Sequence, residues 1–224
     1  MKSKQMKRNE TNRVQRPRGR PKTVADAEQR DTVIQVAGEL FLKRGYGRTM
    51  MSEVAAQAGM SLSTIYRLFP SKTDLFAALV CQHRRSMLAL PGDYDAYSLV
   101  DALMMIFQIE IDHEADQERH ALMSMFIAES QRRPELAPIL FEQGPLQAHG
   151  LLAEWLEHQA NLKRVRFSDS SVLSRMLMDI VFGAAALKDD KVPNWPGNSD
   201  RANYLRACFT IVTEGLKPRN LRIS

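Results

Sequence analysis

Ser63, Thr64 and Arg67 place two hydroxyls and a guanidinium within five residues. Such a set can read base edges, because arginine pairs with guanine while serine and threonine bond with several bases. The chemistry works only if these residues lie at the front of a helix that enters a major groove. The run from Val54 to Phe69 supplies that helix. Ala55 is small enough for two helices to cross closely, Gly59 four residues later can take a left-handed turn, and Ile65 six residues further on plugs the second helix into a core. Three constraints at fixed spacing read as a helix-turn-helix head between Asp31 and Val80.

The elements that must position this head are all helical. Val33, Ile34, Ala37, Leu40 and Phe41 repeat at helical spacing and end before Gly45, so the first helix stops near Arg44. A short second helix runs to Gly59. A third spans about Ser63 to Phe69 behind a Ser61 cap, and Ser71 with Asp74 caps a fourth that turns Leu75, Phe76 and Leu79 inward. Pro91 to Asp95 breaks the pattern and joins head to body. Apolar-periodic stretches follow at about Tyr97 to Ile111, His120 to Arg132, Gly144 to Leu162, Ser171 to Leu187 and Asp200 to Leu216, with Pro134, Pro138 and Pro145 as punctuation. No alternating hairpin pattern interrupts them. The expectation is an all-α chain of about nine helices: an arm over 1–25, a three-helix DNA-binding head over 26–80, and a larger body over 81–224.

Charge is distributed unevenly. The chain of 224 residues has net charge +5, yet its first 22 residues hold nine Lys or Arg against Glu10 alone, so the arm is +8 and the remainder −3. A basic arm on an acidic body suits a polyanion at one end. Met1, Met6 and Val14 are too few large apolar residues for a membrane-surface helix or a signal peptide, which leaves nucleic acid. No stretch is long enough to span a bilayer. Cys81 and Cys208 form no metal or redox spacing, and a reducing cytoplasm fits that usage. Within the arm, Arg16-Pro17-Arg18-Gly19-Arg20-Pro21-Lys22 looks like an AT-hook. Arg16, Arg18 and Arg20 would enter a narrow A·T minor groove, with Gly19 letting the backbone approach the floor. A nonspecific basic tail is the alternative.

The head resembles the TetR family of transcriptional regulators in Ala37, Leu40-Phe41, Gly45-Tyr46, Thr49, Val54-Ala55, Ala58-Gly59, Ser61, Ile65-Tyr66, Phe69, Ser71-Lys72 and Leu75. The resemblance implies a homodimer on palindromic double-stranded DNA, and a body that pairs two copies and binds a small-molecule effector, usually to release repression. Carried over by position, Thr49, Tyr66 and Lys72 become phosphate contacts, and Leu62, Ser63, Thr64 and Arg67 the base readers. Lys72 also sits at a helix N-terminus, where phosphate is favoured independently. Met50 departs from the Thr or Ser common in relatives and cannot cap the second helix, so Thr49 or Ser52 is expected to do so.

In the body, Phe107, Met123, Phe126 and Trp155 are the candidate pocket residues, with ordinary core as the competing explanation. Phe182 to Ala186 lacks bulk and could meet Asp200 to Leu216 in a seam across a two-fold axis. Asp112 to His120 mixes acids and histidines but lacks HExxH spacing and reads as a solvated helix junction. No catalytic motif or cofactor signature is present, so an enzyme is not expected. The rival function is an architectural protein coating A·T-rich DNA without sensing a ligand.

Overall fold

The computed structural model describes residues 22–186 and 200–217. Arg16, Arg18, Gly19 and Arg20 therefore lie outside the described residues. The head comprises α1 (Lys22–Arg44), α2 (Met51–Gln57), α3 (Leu62–Leu68) and the start of α4 (Lys72–Met87). Next come α5 (Leu99–Ile106) and α6 (His113–Arg132). Ala137–Phe141, a π segment Glu142–Leu146, and Gln147–Asn161 keep helical backbone angles across both junctions, and so form one helix, α7. With α8 (Ser170–Ala186) and α9 (Arg201–Leu216), the described residues hold nine helices and no strand.

The turns explain where the elements stop. Gly45 and Gly59 take φ of +81° and +64°, and nothing lies within 4 Å of a side chain added at Gly59, so its backbone angle rather than crowding requires glycine. After α2 the Gly59 N–H bonds to Ala56 and the Met60 N–H to Ala55, the paired bonds of a Schellman end. The same pair closes α5 around Gln108 (φ +47°) and α7 around Lys163 (φ +59°), although neither site has glycine. Ser61 caps α3, accepting from Thr64 N–H at 3.1 Å, and Ser71 and Asp74 cap α4 reciprocally.

Several expectations need correction. Neither Thr49 nor Ser52 caps α2: Met50 is the cap residue, and the Glu53 carboxylate accepts its backbone N–H at 2.8 Å. Asp112 to His120 is no junction but the opening of α6, where Asp112 caps Ala115 and Glu114 and Asp116 meet the positive helix end. Pro145 does not break its helix, because the π segment absorbs the missing N–H. The boundaries drawn at 25/26 and 80/81 fall inside α1 and α4.

Two apolar cores result. One joins α5, α7, α8 and α9 around Phe107, Leu152, Trp155, Leu177 and Phe209. The other holds the head, and it recruits Phe126 from α6 and Leu136 beyond it. Phe41, Tyr46, Phe76, Phe126 and His83 form an unbroken ladder of edge-to-face rings, with centroids 5.3 to 5.4 Å apart. Removing its buried middle rung should be costly. Phe126→Ala is expected to destabilise the protein by about 3–5 kcal/mol in chemical denaturation; a loss below about 1 kcal/mol would mean that the head core closes without α6.

Candidate nucleic-acid interface

The front of α3 is open. Leu62, Ser63, Tyr66 and Arg67 are exposed, Tyr66 by 47%, while Ile65 and Leu68 on the opposite side are buried. An amphipathic helix of seven residues thus keeps its apolar side in the head and leaves four potential contacts outward. Thr64 is half-buried, and its hydroxyl and that of Ser63 both bond to Ser61 Oγ, at 2.8 and 2.9 Å. These hydroxyls can rotate toward other acceptors at small cost.

Arg67 is already engaged. Both terminal nitrogens donate to the Asp26 carboxylate, at 2.9 and 3.0 Å, and one also donates to Gln29 at 3.2 Å. This fork on carboxylate uses the same planar donors that would pair with guanine O6 and N7. Asp26 and Gln29 escaped the sequence reading because they lie 41 and 38 residues from Arg67 with no periodic relation to it. Lys72 Nζ stands 4.3 Å from the centre of the Tyr46 ring and donates to the Gly47 carbonyl at 3.4 Å. Desolvation, and then the nearby Arg133 guanidinium, lower its pKa from the usual lysine value. Arg133 occupies the space above Gly47, where an added side-chain carbon would come within 1.9 Å of its guanidinium.

Thr49 does not present its side chain outward. It is 2% exposed, and its hydroxyl donates to the Gly45 carbonyl at 3.0 Å, which ties the α1–α2 turn rather than facing a duplex. Tyr66 and Lys72 remain as the exposed and half-buried phosphate candidates, flanking the front of α3.

The four pocket candidates do not converge. Phe107 and Trp155 belong to the body core, Phe126 belongs to the head core, and Met123 is half-buried in neither. Trp155 alone borders an open groove, of about 210 Å³, beside Leu90, Pro91 and His158. What the periodicity concealed is polar: His83 on α4 is 5% exposed and neither ring nitrogen has a partner, and Arg119 on α6 is 8% exposed with one hydrogen bond, to the Gln108 carbonyl at 3.3 Å. Among the described residues no three potential ligands cluster for a metal, and no helix is long and apolar enough to cross a membrane.

Comparison with known proteins agrees with this geometry. Residues 33–79 match the model described as bacterial regulatory proteins of the tetR family, and residues 101–188 match the AefR-like transcriptional repressor C-terminal domain. The HTH-type transcriptional regulator UidR of Escherichia coli K12 is 24% identical over 158 residues, 70% of this chain and 80% of its own length. The transcriptional activator FasR of Mycolicibacterium smegmatis is 28% identical over 109 residues, 46% of this chain and 50% of its own. Among solved structures, the flavonoid-responsive regulator FrrA is 27% identical with a TM-score of 0.60, covering 86% of this chain and 99% of that one. Salmonella enterica GusR, 22% identical with a TM-score of 0.60 over 84% and 96%, shares the fold.

Burial in the apolar seam, followed by repulsion from Arg119 and His120 on α6, depresses the His83 pKa from 6.5 to about 4. Between those values the unfolded chain binds a proton that the folded chain refuses, so stability falls as pH drops from about 6.5 toward 4. Below that, His83 contributes no further loss. The span corresponds to roughly 3 kcal/mol at most. Denaturant titrations of the wild type and His83→Leu across pH 4 to 7 should show a shallower slope in the variant; parallel curves would exclude His83 as the source.

Proposed function

The chain belongs to the TetR family of bacterial transcriptional regulators, and from that premise we propose that it is a homodimeric repressor that grips a palindromic operator and releases it on binding a small molecule. The observation that supports operator reading best is the outward face of α3, with Leu62, Ser63, Thr64 and Arg67 directed at base edges and Tyr66 and Lys72 at flanking phosphates. Arg67 must exchange Asp26 and Gln29 for a base, and the exchange is close to isoenergetic because a fork of charged hydrogen bonds is replaced by another. Thr49 acts one step back, by fixing the turn that sets α2 against α1.

Two copies would meet through α8 and α9, where Val172, Met176 and Ile211 are large apolar side chains left exposed. A two-fold pairing on this face covers them and sets two heads at a spacing near one helical turn of DNA. The basic arm enters the same picture. Asp26 touches Arg67 one turn after α1 begins at Lys22, so residues 16–20 leave the head beside the recognition helix and could follow the adjacent minor groove, as an AT-hook or as a salt-sensitive tail.

Release by a small molecule is supported by FrrA, whose description is flavonoid-responsive. Repression rests on the matched C-terminal domain, described as that of a repressor; FasR, similar over less than half of this chain, is described as an activator. Selection of bound fragments from random DNA is the decisive experiment. One short palindrome supports the regulator, whereas broad, salt-dominated coverage of A·T-rich DNA would favour an architectural protein.

On the selected operator, Arg67→Ala should relax preference at one base position by about 1–3 kcal/mol, while Lys72→Ala should weaken all sequences alike and shallow the salt dependence by about one unit. The reverse pattern would overturn the contact assignment. Ile211→Asp should shift the chain toward monomer in light scattering and lower operator affinity together; a stable dimer would move the interface elsewhere.

A further inference from the structure

The seam between α4 and α6 contains two polar side chains that the DNA-binding machinery does not use. His83 has both ring nitrogens enclosed and unpartnered, a state that costs about 1–3 kcal/mol per unsatisfied group in a dry interior. Arg119 is 8% exposed and forms no ion pair within hydrogen-bond reach among the described residues; its single bond runs to a carbonyl at 3.3 Å. Nearby, Asp116 is committed to Arg201, at 3.1 Å from both carboxylate oxygens, and lies 3.7 Å from His120. The neighbourhood therefore holds two guanidiniums and one carboxylate, and the buried guanidinium lacks a bonded counter-charge. Buried charges are ordinarily paired.

We propose that His83 and Arg119 form the recognition point for an anionic group, a carboxylate carried by an apolar small molecule, and that this is where the effector is held. The inference rests on the ligand-responsive reading above and specifies its chemistry. Arg119 supplies the guanidinium donors, His83 supplies a ring N–H, and the Phe126 edge against His83 gives the apolar body of the molecule a wall. The place also accounts for transmission. His83 is the terminal rung of the ring ladder that reaches Tyr46, on whose face Lys72 rests. An anion drawn between α4 and α6 changes how the two helices pack, and that packing sets the position of the Tyr46 turn.

The test uses the full chain with its selected operator and two matched pairs of probes, benzoate with benzamide and hexanoate with hexanamide, at constant ionic strength against a chloride control. At least one carboxylate should raise the melting temperature and weaken operator binding tenfold or more, while its amide does neither. Arg119→Met and His83→Leu should each abolish the carboxylate response. Their own melting temperatures should equal or exceed that of the wild type, because each removes an uncompensated polar group. The inference fails if no carboxylate acts, if amides act equally, if the variants still respond, or if the variants lose stability as a structural ion pair would. Operator release by the amides alone would remove the anion site and leave the ligand-responsive reading standing.

Discussion

The edge-to-face packing of Phe126 on Phe76 is the contact on which the rest of the molecule depends. A head of about fifty residues buries too little apolar surface to be well stabilised alone. Here the deficit is met by a ring from α6, together with Leu136 just beyond it, both wholly enclosed in the head core. The head is consequently not a bead on a string. Its orientation is set by α6, and the same ring that completes its core touches His83 on α4.

The DNA-facing side chains are each occupied before any DNA arrives. Arg67 is held by Asp26 and Gln29, Lys72 by Gly47 and the Tyr46 ring, and Ser63 and Thr64 by Ser61. Binding is then an exchange of partners rather than a gain of new bonds, so its net energy depends on how well the incoming partner matches the outgoing one. A guanine edge can replace both carboxylate bonds of Arg67; a mismatched base cannot, and leaves a charged fork partly unsatisfied. Asp26 thereby sharpens discrimination against wrong sequences and keeps a mobile arginine side chain ordered.

Local chemistry was legible in the sequence where a residue decides its own surroundings. Gly45 and Gly59 announce left-handed turns, Ser61 and Ser71 announce helix starts, and the spacing of Ala55, Gly59 and Ile65 announces the crossing of two helices. Where the deciding partner is distant, the sequence was silent or misleading. Phe126 has the spacing of a body residue, yet packs into the head. Gln108 and Lys163 terminate helices without glycine, because contacts elsewhere hold the strained angle: Gln108 itself donates to the Arg85 carbonyl and accepts from Arg119. Pro145 looked like an end because a π segment has no pattern of its own. Thr49 matched its family position, and only coordinates reveal that its hydroxyl turns inward.

The two cores share one continuous connector. On α4, Leu75, Phe76, Leu79 and Val80 are buried in the head, and Leu88 and Leu90 just past its end are buried in the body. A helix of sixteen residues is about 24 Å long, so a tilt of about 5° at one end moves the other by roughly 2 Å. In a symmetric pair both heads would move, and half-sites a fixed helical turn apart tolerate little change of that kind. Such a tilt needs only a modest rearrangement where α4 meets α6, since packed interfaces switch between discrete arrangements rather than deform gradually. The unpartnered groups at that crossing are thus well placed: satisfying them alters the packing of α4 at the point where a small displacement has the greatest leverage on the DNA-facing helix.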